Sequence, residues 1–270
     1  TAIRNLVWHA KRYWPQGHRL AYVVLMGLGH YDIRNINSTE QVHIPVFIRE
    51  GGDYKCEEQY FVSHGDTVDA AIGRLPVTTP AEAEAIVDKI VEMEQVGEAD
   101  FGAWRNRAVM VADNDLQGND RDGINHYKSS EEVADIVESQ WPSIDLRKVY
   151  LFEYQFNDAY QMPVAAQALV SEINSGVAVV NYFGHGGDNV WADEGVLALE
   201  DIPNMTNRRR YPVLSSLSCS VGKFDLPGHE SLSDQIVRAS HAGAIAAISS
   251  TREAWASPNT QLGKAFFRAM

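Results

Sequence analysis

The sequence is poor in cysteine, in long apolar runs and in positive charge. Cys56 and Cys219 are its two cysteines, too few for a small fold that depends on several disulfides. Its longest apolar runs, residues 21–28 and 242–248, fall far short of the roughly 20 residues that a helix needs to cross a bilayer. A disulfide scaffold and a membrane-spanning segment are therefore excluded for these 270 residues.

Charge excludes a further class of function. The formal net charge is −13, which disfavours binding to nucleic acid, because sequence-independent binding needs basic patches that neutralise phosphates. We interpret the one basic run, residues 208–210, as a solvated turn before a strand.

The rest of the composition is typical of a folded domain. An apolar fraction of 45% is enough for a real core and argues against disorder. The sequence opens without a basic-then-apolar signal segment and closes on a helical pattern, residues 266–270. We therefore expect a piece of a longer protein, with any export signal upstream.

Short apolar runs alternate with helical patterns along the chain, which indicates βαβ units and a mainly parallel sheet. The runs are almost continuous in Val, Ile, Leu and Ala, as expected for strands that are buried on both faces. The predicted strands are residues 21–27, 108–113, 148–153, 177–183, 213–218 and 244–249. Capping signals predict helices that begin at residues 80, 129, 162, 231 and 258.

A domain boundary is expected near residues 97–106, where a short polar stretch with glycines follows a long helix. We therefore divide the chain into an N-terminal α/β subdomain, residues 1–100, and a larger catalytic subdomain with the main sheet, residues 101–270. The predicted fold class is α/β, with a mainly parallel sheet flanked by helices.

The polar residues that follow the predicted strands carry the chemistry. Asp113 ends one strand, His185 follows another, and Cys219 follows a third. In a parallel sheet, ligands and catalytic groups collect outside the carboxyl ends of the strands, so we expect these side chains on one edge. A thiolate, an imidazole that moves the proton and a carboxylate that orients the imidazole are the parts of an activated cysteine nucleophile.

Glycines around His185 let a substrate approach the backbone closely. The N–H groups of Gly186 and Cys219 are predicted to face a developing oxyanion, an interaction worth about 3–4 kcal/mol per donor in other enzymes. Ser218 and Gly187 flank these groups and are candidate substrate-binding residues.

Each residue taken alone also has an ordinary explanation. Cys219 suits an inert buried thiol, the Gly-His-Gly sequence around His185 suits a tight bend, and Asp113 suits a loop or a cap. Asp113, His185 and Cys219 as zinc ligands form a further alternative, disfavoured because structural zinc draws on more Cys or His at close spacing. No metal ligand is therefore assigned.

The loop at residues 113–123 is rich in the hard oxygen ligands that calcium prefers. It lacks the EF-hand order, because Gly118 stands where an acid is needed. A solvated acidic loop is the favoured interpretation, with calcium and an acidic pocket for a basic side chain as the alternatives. No other cofactor is expected.

The motifs together resemble a known family. Residues 181–187 read Asn-Tyr-Phe-Gly-His-Gly-Gly, and residues 218–225 read Ser-Cys-Ser-Val-Gly-Lys-Phe-Asp. These motifs resemble those of the gingipain family of cysteine peptidases. The resemblance extends from about Tyr22 to Met270, with the motifs in the expected order. Within the family, the chain is most similar to the sortase branch that serves type IX secretion.

The resemblance implies a caspase-like fold in two subdomains and cleavage of a peptide bond through a thioester. It implies Cys219 as nucleophile, His185 as general acid and base, Gly186 as oxyanion donor and Asp113 as the acid that supports the imidazole, where relatives often have Glu. Trp255 stands where the family has a tryptophan that borders the substrate pocket.

The sortase branch further implies substrates, partners and a location. The substrates are the C-terminal sorting signals of exported proteins, the acceptor is an amine, and the partners are other type IX secretion components. The expected location is the outer membrane or cell surface of a Gram-negative bacterium, or the medium after secretion, and a C-terminal strand and immunoglobulin-like extension are expected beyond this sequence. A secreted endopeptidase with water as acceptor, and a non-catalytic binding or scaffold domain of the envelope, stay open as alternatives.

Overall fold

The computed structural model describes residues 2–14, 20–49, 54–65, 67–95, 97, 101–114 and 125–270. The chain forms two compact units, Thr1–Ala83 with Phe224–His229, and Glu84–Lys223 with Glu230–Met270. The boundary predicted near residues 97–106 therefore falls inside the second unit, because most of the long helix before it groups with the residues that follow. The division into residues 1–100 and 101–270 stays a prediction.

The first unit is built on two parallel strands and one helix. Its elements are α1 (Ala2–Tyr13), β1 (Tyr22–Met26), β2 (Ser63–His64), β3 (Thr67–Val68) and β4 (Ala71–Leu75). Strands β1 and β4 pair in parallel from Tyr22–Ala71 to Met26–Leu75. Helix α1, which the sequence did not predict, buries Val7 in a small apolar cluster with Val62 and Ala70.

The remaining elements follow in chain order from the helix at Pro80. They are α2 (Pro80–Glu94), β5 (Arg107–Ala112), α3 (His126–Gln140), β6 (Asp145–Tyr150), α4 (Pro163–Ser175), β7 (Val179–Phe183), β8 (Gly186–Gly187), β9 (Val190–Trp191), β10 (Leu197–Ala198), β11 (Val213–Leu217), α5 (Leu232–Arg238), β12 (Ala246–Ser249) and α6 (Ala256–Ala269). All six predicted strands and all five predicted helices are present. Within the described part of the chain, no helix is long and apolar enough to cross a membrane.

Two of the departures from the predicted boundaries have a clear local cause. Helix α3 begins at His126 instead of residue 129, because the side chain of Asn125 caps it by accepting the backbone N–H of Lys128 at 2.9 Å. The strand predicted to reach residue 153 ends at Tyr150, since the chain turns into a short 3₁₀ helix at Leu151–Glu153.

The second unit contains a five-stranded sheet that confirms the predicted fold class. The strand order is β12-β11-β7-β5-β6, and every neighbouring pair is parallel. Because the strands run the same way, their carboxyl ends lie along one edge.

The core of the second unit lies between this sheet and the helices α3 and α6. Met110, Phe183 and Leu217 from the strands share one buried cluster with Val133 of α3 and Phe267 of α6. Each fully buried side chain of this size contributes roughly 1.5–3 kcal/mol to the free energy of unfolding. The cluster includes the last residues of β7 and β11, so the strand ends that precede the candidate site are held in a packed core.

Candidate active site

The register of the sheet brings three predicted site residues to one edge. Phe183, the last residue of β7, pairs with Leu217, the last residue of β11, and His185 and Cys219 each follow two residues later. Ala112, the last residue of β5, also pairs with Phe183, so Asp113 leaves the sheet at the same level. The sequence predicted this edge from the strand ends alone.

The loops that carry His185 and Cys219 touch at Gly186. A Cβ atom added at Gly186 would lie 2.8 Å from the carbonyl oxygen of Cys219, from Ser218 Oγ and from Val221 Cγ2. The φ of Gly186 is outside the left-handed region, so close approach, and not backbone conformation, is what requires glycine here. At Gly187 the nearest atom to an added Cβ would be 3.4 Å away, an ordinary contact.

The thiol of Cys219 is half-buried and lies at the start of a tight turn. Its sulfur accepts the backbone N–H of Ala254 at 3.3 Å, and the next residue, Ser220, has a φ of 54°, which is uncommon for a residue other than glycine. The N–H of Ser220 donates to the carbonyl of Arg252 at 3.0 Å. The segment after β12 therefore holds the cysteine turn in place.

Trp255 directly follows Ala254, the residue that contacts the sulfur. Its side chain is 74% exposed, so a large aromatic surface is open to solvent. Most tryptophans are well buried in folded proteins, and an exposed one suits a binding surface for an apolar or aliphatic group.

Asp113 is buried, and its carboxylate contacts the backbone of His185. One carboxylate oxygen accepts the N–H of His185 at 2.8 Å and lies 3.3 Å from the Tyr182 hydroxyl oxygen, and the other accepts the N–H of Asn114 at 2.7 Å. Burial raises the pKa of Asp113, and the two backbone N–H donors act in the opposite direction. The predicted role of Asp113 was to orient the imidazole, and the contact in this structure fixes the loop that carries it.

The carbonyl of His185 is also held. The Tyr182 hydroxyl donates to it at 2.6 Å, and the Tyr182 ring stacks on Trp191 with centroids 4.6 Å apart. An added Cβ at Gly184 would overlap the Tyr182 hydroxyl and lie 2.6 Å from Asp113 Cβ. Both backbone groups of His185 are thus fixed, whereas its side chain is exposed.

The two remaining predicted residues differ in what they present to a substrate. The side chain of Ser218 is buried, and its Oγ lies 2.9 Å from Ser216 Oγ, so the side chain faces the protein interior. Gly187 pairs with Val190 across the small β8–β9 ladder. Substrate binding by Ser218 and Gly187 stays a prediction, to be carried by their backbone groups.

One residue of the site, His126, was missed by the sequence reasoning. It is the first residue of α3 and is buried, and its ring lies edge-on to the His185 ring with centroids 5.1 Å apart. The signal that locates it is Asn125, a capping residue three positions before Lys128, which moves the helix start upstream to His126. The proposed calcium loop, residues 113–123, lies mostly outside the described residues.

A parallel α/β sheet that presents a cysteine and a histidine at adjacent strand ends defines the class as a cysteine peptidase of caspase-like fold. The comparisons with known proteins agree with this class. The family model of peptidase family C25 matches residues 1–270, and the chain belongs to this family.

Gingipains are among the relatives and the solved structures that the chain resembles. Lys-gingipain HG66 of Porphyromonas gingivalis is 25% identical over 195 residues, covering 72% of this chain and 10% of that protein. Gingipain R2 of Porphyromonas gingivalis is 22% identical over 255 residues, covering 92% of this chain and 31% of that protein. The crystal structure of the Arg specific cysteine proteinase gingipain R (RGPB) has a TM-score of 0.74 at 20% identity and covers 100% of this chain and 58% of that one. The chain therefore spans less than a third of either curated relative.

Proposed function

We propose that this chain is the catalytic domain of a peptidase in which Cys219 is the nucleophile and His185 is the general acid and base. The contact at Gly186 supports this most strongly, because it places the residue after the imidazole against the backbone of the cysteine. The in-register ends of β7 and β11 make this proximity a property of the sheet, which suits a reaction that needs precise positioning.

In the proposed reaction, the His185 imidazole takes the proton of the Cys219 thiol as the sulfur attacks the scissile carbonyl carbon. The oxygen gains negative charge, and the N–H groups of Gly186 and Cys219 are the proposed donors to it. The carbon–nitrogen bond then breaks, the imidazolium gives its proton to the departing amine, and a thioester remains on Cys219. An acceptor attacks the thioester, loses its proton to His185 and releases the thiol.

Asp113 and Tyr182 act in this proposal as positioning residues. Together they hold the N–H and the carbonyl of His185, so the loop has one conformation while the exposed ring reaches the substrate. Trp255 is proposed to form a wall of the substrate pocket, because the residue before it contacts the sulfur. Ser218 and Gly187 are proposed to offer backbone groups to the peptide.

We infer further that the peptidase is a sortase of the PorU type. It would cleave C-terminal sorting signals of exported proteins and transfer the new carboxyl end to an amine. Support comes from the sequence motifs at residues 181–187, 224–225 and 257–259. The proposed location is the outer membrane or cell surface of a Gram-negative bacterium, or the medium after secretion, with type IX secretion components as partners.

The test uses the full-length protein with Cys219→Ala and, as a matched control, Cys56→Ala. We expect Cys219→Ala to abolish processing of exported proteins and Cys56→Ala to leave it unchanged; intact processing with Cys219→Ala would refute the proposal. Mass spectrometry of the new C-terminus then identifies the acceptor, since a conjugate indicates an amine and a free acid indicates water.

Alkylation by iodoacetamide at mildly acidic pH separates a peptidase from a scaffold. Cys219 is expected to react much faster than Cys56, because the thiolate is the reactive form and an imidazole serves Cys219. The Cys56 thiol lies instead 4.0 Å from a carboxylate oxygen of Glu58. Equally slow reaction of both cysteines would support a non-catalytic domain.

A further inference from the structure

Three side chains near the catalytic imidazole have the composition of a metal site. Asp113, His126 and His185 each offer one ligand atom, and these atoms all lie within 4.8 Å of one another. Two imidazoles and one carboxylate form a ligand set that zinc accepts in proteins, with a fourth position left for water or another ligand. We propose that this cluster binds a divalent transition metal ion of the zinc type, and that the bound ion reversibly blocks His185.

Two of the three ligands are held by rigid elements. Asp113 and His126 are 3% and 6% exposed, one at the end of the central strand β5 and the other in the first turn of α3. Asp113 is also fixed by hydrogen bonds from His185 N–H and Asn114 N–H. Hydrogen bonds of this kind orient a ligand before the metal arrives and contribute to its affinity.

His185, the third ligand, is the side chain that must move when a metal ion binds. A tetrahedral zinc ion with bonds of 2.0–2.1 Å holds its ligand atoms roughly 3.3 Å apart, so the cluster must contract by up to about 1.5 Å. The His185 side chain is exposed, and its rotation brings the ring toward its buried partners while Asp113 keeps the backbone in place. Exposure of His185 also gives the ion a path to the site.

The local charge favours a cation. The buried carboxylate of Glu194 accepts a hydrogen bond from the Asn114 side chain at 2.8 Å, directly next to Asp113. Two acidic side chains close together in a buried region repel one another, and a divalent ion relieves this repulsion.

The proposed site is distinct from a cysteine–histidine metal site. Within the part of the chain that the structure describes, the cluster comprises Asp113, His126 and His185 and does not include Cys219. The Cys219 sulfur contacts the backbone of Ala254 instead. His126 is therefore the residue that separates the two possibilities.

The first experiment measures zinc binding by calorimetry in protein that carries Cys219→Ala, so that the thiol does not contribute. His126→Phe removes the ligand and keeps an aromatic ring at the His185 contact. His64→Phe is the matched control, since His64 also makes an edge contact, with Trp8, at 4.3 Å between centroids. We expect His126→Phe to weaken binding at least about tenfold and His64→Phe to leave it unchanged. Equal binding in all three proteins would overturn the proposal.

The second experiment uses cobalt(II) as a spectroscopic probe in protein with an intact Cys219. We expect the visible bands of a four-coordinate nitrogen and oxygen site, which His126→Phe removes. A sulfur-to-cobalt charge-transfer band that disappears with Cys219→Ala would place the metal on the thiol and refute the site. Near-ultraviolet circular dichroism of His126→Phe checks that the variant is folded.

The inhibitory role rests on the proposed peptidase function, whereas metal binding does not. Each peptidase variant with an intact Cys219 is compared with its own metal-free rate of peptide cleavage, and His126→Phe is expected to need at least about tenfold more zinc for half inhibition. The same zinc sensitivity in wild-type and variant would overturn the inhibitory role. If no peptide is cleaved at all, the function proposal fails, and calorimetry still decides the metal site.

Discussion

Gly186→Ala tests whether the contact between the loops that carry His185 and Cys219 supports the proposed catalysis. The added methyl group would lie 2.8 Å from three atoms, one of them the Cys219 carbonyl oxygen, where ordinary contacts begin at 3.4 Å. The loops must therefore separate by about 0.6 Å, and overpacking of this kind lowers the free energy of unfolding by roughly 1–3 kcal/mol. Because the N–H of Gly186 is the proposed oxyanion donor, we expect kcat/KM to fall about 100-fold, the lower end of the loss of one such donor.

The assay for Gly186→Ala is cleavage of a fluorogenic peptide library of mixed sequence, with the thermal unfolding midpoint recorded alongside. Gly73→Ala is the matched control, because a methyl group added at this exposed position of β4 meets no atom within 4 Å, and its kcat/KM should stay within about threefold of wild-type. Alkylation of Cys219 by iodoacetamide does not use the oxyanion donor and should be nearly unchanged by Gly186→Ala. Wild-type kcat/KM in Gly186→Ala, or an equal loss in Gly73→Ala, would refute the reasoning.

Three further predictions concern stability. Asn181→Leu should raise the free energy of unfolding by about 1–2 kcal/mol, since the buried amide of Asn181 has no hydrogen-bond partner among the described residues. Asn207→Leu should instead lower the free energy of unfolding by about 3 kcal/mol, because the amide of Asn207 bonds Arg210 and both backbone groups of Gly243. Burial lowers the pKa of Lys89 from 10.5 to about 7. Between these pH values the unfolded chain binds more protons than the folded chain, so the free energy of unfolding rises with pH. Lys89→Met should remove this rise. Burial raises the pKa of Asp113 above 3.8. The contribution of Asp113 to the free energy of unfolding is therefore full below pH 3.8 and is lost as the pH rises through the raised pKa. Asp113→Asn should remove this decline of stability with pH.

Urea unfolding measures all three stability predictions. The asparagine prediction fails if both leucine variants shift the midpoint in the same direction. The lysine prediction fails if the difference in unfolding free energy between wild-type and Lys89→Met is constant from pH 7 to 10. For Asp113→Asn, a difference that does not change between pH 4 and 7 would contradict the expected sign.

Much of the catalytic edge could be predicted from the sequence because two rules act on it at once. Continuous apolar runs identify strands that are buried on both faces, and parallel strands present their carboxyl ends together. His185 and Cys219 follow such runs, so their shared edge was predictable without knowledge of the pairing. The structure further shows that Phe183 pairs with Leu217, so His185 and Cys219 leave the sheet at the same level.

The parts that the sequence did not predict depend on side-chain contacts across long separations. His126 belongs to the site because its ring meets the ring of His185, which lies far along the chain. The carboxylate of Asp113 meets the backbone N–H of His185, and no spacing rule distinguishes that atom from the ring. The contact of Cys219 with Ala254 joins residues 35 positions apart, which periodicity does not detect.

The paired ends of β7 and β11 also determine which insertions and deletions the site tolerates. An insertion in the connection between these strands, residues 184–212, leaves the pairing of β7 with β11 unchanged, provided that it spares Trp191, which stacks on Tyr182, and Asn207, which bonds Gly243. A single residue inserted within β7 or β11 would displace the following side chain by about 3.3 Å and turn it to the opposite face of the sheet. The paired strands thus set the level at which Cys219 and His185 leave the sheet, and neither strand can change length without moving one of these residues.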